Sequence, residues 1–240
     1  MDYKYNAIIL SKNDIGETDR IYAVYSLEAG KVRLLAKGVR KPNAKLAGSL
    51  EPITHTEIFA AKNRGRGNIT GAIAVDNFSS VKKNISALEN IFYALDLFGR
   101  LINQEEKDEK TFILLLEYLK AMEKNSAENE DDMKKEILTQ GFLIKLLENL
   151  GYAIQAKNCV FCGEKIISGQ NWFSPERGGV ICGKCSAKES NKTKISDEAI
   201  KFIRIILENK IENLAKLKAE EKNIKNLKII VSSAIKWITN

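Results

Sequence analysis

Cys159-Val-Phe-Cys162, nineteen further residues, and then Cys182-Gly-Lys-Cys185 form the stretch that decides how the second half of this chain is built. Each C-x2-C pair turns two thiolates toward one point, and two such pairs close a tetrahedral sulfur cage suited to Zn²⁺. The sequence contains 4 cysteines, so none is left over. The spacing predicts a four-cysteine ribbon in which Cys159, Cys162, Cys182 and Cys185 hold one structural zinc ion. Four sulfur ligands leave no open position for water, so Lewis-acid chemistry is not expected there.

Other readings of the quartet explain less. An iron-sulfur cluster uses the same four thiolates. A redox C-x2-C stands near the start of a helix in a thioredoxin-like unit, and one such motif suffices. Two disulfides suit a secreted protein, but the opening MDYKYNAIILSK lacks a signal-peptide layout, which predicts a reducing, cytoplasmic setting.

Upstream of the ribbon, residues 1–81 read as short β-branched and aromatic runs broken by Gly, Asn, Asp and Pro. Strands are expected near residues 3–12, 20–27, 31–36, 54–61 and 69–78. Five short strands in so small a span predict an oligonucleotide-binding (OB)-like barrel. Gly30 and Gly38 fit turns, and residues 63–68 read as an exposed hairpin tip.

From residue 82 the apolar period becomes helical, with Ile85, Leu88, Phe92, Leu95, Phe98 and Leu101 at three- and four-residue steps. Residues 112–122 and 137–150 behave likewise. Gly151 is an expected helix stop, and Ser196 an expected N-cap for a helix reaching about residue 209. A last apolar segment spans residues 227–237. The expected fold is α+β: an OB-like domain at 1–81, then a helical domain at 82–240 with the zinc ribbon inserted at about 157–187.

The 240 residues carry a net charge of +7, with 44% hydrophobic residues, and no apolar run is long enough to span a bilayer. Between residues 31 and 66 lie Lys31, Arg33, Lys37, Arg40, Lys41, Lys45, Lys62, Arg64 and Arg66, against only Glu51 and Glu57. Nine cations against two carboxylates match the charge of the whole chain, so the barrel region carries the footprint for a polyanion. These nine are the candidate DNA-binding residues. Aromatic platforms for unpaired bases are available in Tyr3, Tyr5, Tyr22, Tyr25 and Phe59, although strand alternation must send some of them into the core.

Enzymatic signals are weak, and no catalytic residue is expected. His55 is the chain's 1 histidine, so no second imidazole completes an acid-base or metal site. Gly178-Gly-Val-Ile-Cys-Gly-Lys184 imitates the opening of a Walker A loop, but Cys185 replaces the Ser or Thr that holds Mg²⁺. The His-x-Glu partner of a zinc deaminase is lacking.

Taken in order, Gly16-Glu-Thr-Asp-Arg20, Ala36-Lys-Gly-Val-Arg-Lys-Pro42, Leu50-Glu-Pro52, Cys159-Val-Phe-Cys-Gly163, Phe173-Ser-Pro-Glu-Arg-Gly-Gly179 and the second C-x2-C resemble RecO, the bacterial recombination mediators of DNA repair. The resemblance covers essentially the whole chain. It implies binding of single- and double-stranded DNA, annealing of complementary strands, partnership with RecR, and displacement of single-strand-binding protein so that RecA loads. Annealing needs no acid or base, because a basic surface lowers phosphate repulsion and base pairing supplies the driving force. The main rival is a zinc-ribbon OB protein acting on RNA in transcription or translation. A nuclease is the poorer alternative, for want of a paired-carboxylate site.

Overall fold

A computed structural model describes residues 2–61, 67–127 and 131–239. The described residues pack as two compact units, Met1–Lys83 with Ile102–Lys120, and Asn84–Leu101 with Ala121–Asn240.

Five strands, β1 (Asp2–Ile15), β2 (Asp19–Ser26), β3 (Gly30–Ala36), β4 (His55–Ala61) and β5 (Gly67–Asp76), close in the order β1-β2-β3-β5-β4. This is the five-stranded OB-like barrel that the runs of β-branched and aromatic residues predict. Closure rests on a short parallel seam, Leu34 with Gly67 and Leu35 with Asn68, whereas the other pairings are long and antiparallel. Register shifts in β1 after Ile9 and in the β4–β5 pair at Phe59 bend the sheet enough to close it.

Strand alternation sends Tyr5, Ala7, Ile9, Tyr22, Val24, Leu34, Ala36, Ile58, Ala60 and Ile69 into one core, which Leu50 joins from the 3₁₀ turn Gly48–Leu50. Leu50-Glu-Pro52 is therefore a plug: Leu50 is fully buried, and Glu51 pairs with Lys12 at 2.5 Å.

The same unit contains the short helix α1 (Ser79–Lys83) and takes in a segment far along the chain. Lys31 and Gln104 form a β-bridge, the Glu105 N–H donates to the Lys31 carbonyl at 3.0 Å, and Lys31 Nζ donates to the Ile102 carbonyl at 3.0 Å. Gly30 is required at this junction. Its φ is +65°, and a Cβ there would sit 2.1 Å from the Glu106 carbonyl oxygen.

The second unit holds α2 (Ile85–Leu101) and α4 (Asp132–Asn149); α3 (Glu109–Lys124) crosses the division between the units. Downstream come α5 (Asp197–Glu208), α6 (Ile211–Leu214) and α7 (Glu221–Thr239). Helix α4 is the hub: Ile137 to Ile144, Leu146 and Leu147 are all buried, as befits a helix surrounded by α2, α5, α6 and α7. Gly141 admits Leu214, whose Cδ1 would lie 2.3 Å from a Cβ at that position.

Gly151, at φ +85°, ends α4 in a Schellman motif, with Tyr152 N–H donating to the Leu147 carbonyl at 2.7 Å and Gly151 N–H to Glu148 at 3.0 Å. Ser196 caps α5 as expected, accepting from the Ala199 N–H. On α2 the structure shifts the expected stripe. Ala87, Ile91, Ala94, Leu95 and Phe98 are buried, while Ile85 and Phe92 face solvent, because alanines complete the inward face that a search for large apolar residues alone misplaces.

Candidate nucleic-acid interface and metal centre

The ribbon is a three-stranded sheet ordered β7-β6-β8, from β6 (Asn171–Ser174), β7 (Gly179–Ile181) and β8 (Thr193–Ile195). Its first knuckle turns because the Gly163 N–H reaches the Cys159 carbonyl at 2.9 Å with Gly163 at φ +74°. The second follows β7, where Cys185 N–H donates to the Cys182 carbonyl at 3.0 Å at the head of a 3₁₀ turn, Gly183–Lys188.

These turns bring the four sulfurs within 4.8 Å of one another, with Cys162 Sγ 3.9 Å from Cys182 Sγ. A tetrahedral zinc with Zn–S bonds of about 2.3 Å requires sulfurs roughly 3.8 Å apart, so the cluster has room for one ion. All four thiols are free of disulfide bonds.

Cys159 and Cys185 are buried, Cys182 is half-buried and Cys162 is exposed. Burial works against the Cys159 thiolate, but backbone N–H groups of Cys182, Cys162 and Phe161 outweigh it and bring its pKa down to about 6. Burial and the neighbouring thiols drive Cys185 up to about 12.

Support around the cage comes from residues of the Phe173-Ser-Pro-Glu-Arg-Gly-Gly179 stretch. Ser174 Oγ donates to the buried Glu189 carboxylate at 2.9 Å and accepts from the Arg177 N–H at 3.2 Å. Arg177 stacks its guanidinium 4.1 Å from the Phe161 ring centroid inside the first knuckle. The Ser174 hydroxyl, then the Asn191 N–H and the Arg177 charge, hold the Glu189 carboxyl below its ordinary pKa. The ribbon is fastened to α5 by Arg204, whose Nε donates to the Ala156 carbonyl at 2.8 Å, and by Asp197, which accepts from Ser168 and from the Gly169 N–H.

On the barrel, Lys31, Arg33, Lys37, Arg40, Lys41 and Lys45 fall on β3 and the connection that follows it, while Lys62, Arg64 and Arg66 lie outside the described residues. The six that are described divide by what surrounds them. Lys31 is turned to the Ile102 carbonyl, and burial depresses its pKa. Arg40 is held by Asp14 at 3.3 Å and by the Gly16 carbonyl at 3.1 Å. Arg33, Lys37, Lys41 and Lys45 are exposed and make no ion pair among the described residues.

Charge counting missed the acidic anchors that shape this loop. Asp19 Oδ1 accepts from Thr18 Oγ1 at 2.9 Å and from the Gly38 N–H at 2.8 Å, and Asp14 takes the Arg20 guanidinium at 2.7 Å. Gly16-Glu-Thr-Asp-Arg20 and Ala36-Lys-Gly-Val-Arg-Lys-Pro42 are thus two halves of one bonded structure. The β2–β3 pairing, which sets Arg20 against Ala36, brings the two stretches together, and a count of charges holds no signal for the bonds between them.

His55 is buried. Its Nε2 meets Asn6 Oδ1, its ring packs edge-on to Phe112 at 6.2 Å, and burial followed by the Lys120 charge lowers its pKa. It is a packed, neutral imidazole.

Comparison with known proteins agrees with this architecture from end to end. Residues 1–78 match the profile described as Recombination protein O N terminal, and residues 83–238 the one described as Recombination protein O C terminal. The chain belongs to the RecO family. A protein named DNA repair protein RecO from Dehalococcoides mccartyi (strain ATCC BAA-2266 / KCTC 15142 / 195) is 30% identical over 237 residues, 99% of this chain and 90% of the relative. One of the same name from Roseiflexus sp. (strain RS-1) is 29% identical over 210 residues, 88% and 71% of the two chains. The RecO of Pelotomaculum thermopropionicum is 25% identical over 229 residues, covering 95% and 86%. The N-terminal profile covers the five barrel strands, and the C-terminal profile covers the ribbon and the helices from α2 onward. Among the described residues no helix is long and apolar enough to cross a membrane.

Proposed function

We propose that this RecO-family chain is a DNA-binding recombination mediator: it anneals complementary strands and, with RecR, helps RecA load onto DNA coated by single-strand-binding protein. The supporting observation is the group Arg33, Lys37, Lys41 and Lys45, exposed without ion-pair partners among the described residues on one strand and loop of an OB-like barrel. Unpaired cations are the ones able to exchange condensed counterions for phosphates, and that exchange supplies a large share of sequence-independent affinity. Two strands held on such a surface repel one another less and meet at a higher local concentration, so pairing accelerates without a nucleotide cofactor.

Cys159, Cys162, Cys182 and Cys185 would hold one zinc ion, which supplies a cross-link for a ribbon too small to have a large core of its own. In this reading the chain has no catalytic centre and works in the cytoplasm. The test mixes complementary fluorescent strands, bare or coated with single-strand-binding protein, with and without RecR and ATP. Faster annealing without ATP, and relief of the coated strands by RecR, are expected. A requirement for ATP, or tight RNA binding with no acceleration of DNA annealing, would overturn the reading.

A further inference from the structure

Phe59 is the only Phe, Tyr or Trp between residues 31 and 66, the segment whose charge equals that of the whole chain. The fold also singles it out. Of the barrel aromatics, Tyr5, Tyr22 and Tyr25 are buried, and Tyr3 packs against the core, stacked on Tyr5 with ring centroids 6.1 Å apart. Phe59 alternates outward on β4 and is 37% exposed.

The surroundings hold this ring in place at the surface. Phe59 pairs with Gly71 on β5, and a Cβ at Gly71 would stand 3.4 Å from Phe59 Cδ2, so the glycine leaves the space over which the ring leans. Thr70 Oγ1 donates to the Phe59 carbonyl at 3.2 Å, fixing the backbone where the register of the pair shifts. On the other side, Lys4 of β1 places its ammonium 5.9 Å from the ring centroid while pairing with Glu57 at 2.9 Å. Ile73 and Val75 of β5, both more than half exposed, extend the apolar surface along the strand.

Strand β5 also pairs with β3 at Leu34–Gly67, which puts Phe59 two strands from the exposed Arg33 on a continuous sheet. An outward aromatic ring beside one ammonium group, on a sheet that carries a further exposed cation, matches the chemistry of a nucleotide, an apolar π face joined to a phosphate. A base offers that face only when it is unpaired, because in a duplex both faces are stacked on neighbouring bases.

We infer that Phe59 is a stacking platform for an unpaired base, and that it gives the barrel a preference for single-stranded over duplex DNA. The inference rests on the proposed DNA-binding function and assigns that surface its strand selectivity. The cations attract either form of DNA; the ring distinguishes them.

The experiment compares the full chain with its Phe59→Ala, Phe59→Leu and Phe59→Trp variants. Fluorescence anisotropy at fixed salt measures binding to an oligothymidine and to a duplex. The Ala and Leu variants should lower the single-strand to duplex affinity ratio by roughly 5- to 150-fold, the span that stacking of one base represents. The Trp variant should restore it. Leucine still covers Gly71, so it carries the test if the alanine variant folds poorly. Equal losses on both DNA forms, or a Leu variant that binds oligothymidine as well as the unaltered chain, would overturn the inference while leaving barrel-mediated DNA binding intact. Failure of the unaltered chain to bind either form would instead overturn the underlying DNA-binding reading.

Discussion

Arg40 sits on Asp14, with Nε 3.3 Å from Oδ2, and its Nη1 donates to the Gly16 carbonyl at 3.1 Å. Asp14 is already held below its ordinary pKa, first by its hydrogen bond from Arg20 and then by the Arg40 charge. A cation that belongs to the footprint by sequence is therefore also a clamp between the β1–β2 hairpin and the connection after β3. Charge variants at Arg40 test folding and binding together, and the two must be separated.

Lys37→Gln, Lys41→Gln and Lys45→Gln should weaken DNA binding across many sequences, each lost phosphate contact reducing the salt slope by roughly 0.7 to 0.9. Glutamine is preferred to glutamate because the Asp19 carboxylate, lowered chiefly by the Gly38 N–H, also feels the Lys37 and Lys41 charges. Melting temperatures should hardly change. Arg40→Glu should lower both affinity and melting temperature, since it sets a carboxylate against Asp14. If glutamines at Lys216 and Lys218 reduce the salt slope more than those at the three barrel lysines, the footprint has been misplaced.

One zinc per chain is expected in protein purified without chelator. Cys182→Ser should lose the ion and raise hydrogen exchange through β6, β7 and β8, while the barrel strands keep their protection, because the ligand set lies wholly within the second unit. Metal analysis with exchange mass spectrometry checks both parts. Full-length collapse of protection in the variant would show that the ribbon supports the barrel after all.

The single imidazole should titrate below the ordinary histidine range. Burial lowers the folded-state pKa of His55, so between the folded and unfolded values the unfolded chain binds more protons. Stability from neutral His55 is thus fully present above about pH 6.5, the unfolded value, and is lost as pH falls through the depressed folded value. Asp14, Asp19 and Glu189 are also lowered, but their losses come below their own unfolded values of 3.8, 3.8 and 4.5, in a separate acid window. The chain's 1 histidine gives one unambiguous Hε1 proton NMR resonance to follow, and a midpoint above about 6.5 would contradict the buried, neutral assignment.

Gly30→Ala should cost roughly 2 kcal/mol or more, since the site combines a left-handed φ with a backbone oxygen where the Cβ must go. Denaturant unfolding measures the loss. Gly16→Ala is the control: at φ +57° it shares the strain but has nothing within 4 Å of the added carbon, so it should cost less. Equal losses would mean that the Glu106 contact contributes nothing.

Local chemistry made much of the chain legible. The Cys pairs with Gly163, the Schellman stop at Gly151 and the Ser196 cap each follow from a few neighbouring residues, and each appears where its residues stand. The alternation that defines the barrel strands is likewise a short-range pattern. It also implied that the aromatics divide between core and surface, although not that Phe59 would be the exposed one.

The sequence by itself determined the element types, the order of barrel, helices and ribbon, the candidate metal ligands and the location of excess positive charge, because propensity, periodicity and ligand spacing act within a few residues. Only the tertiary structure decided that Gly30 must accommodate Glu106, that Asp19 bonds to Gly38, that Lys31 and Arg40 are tied to internal partners, and which aromatic stays outside. Each of those facts joins groups on separate elements, and a pattern read along one chain direction holds no distance between them until the strands and turns have closed.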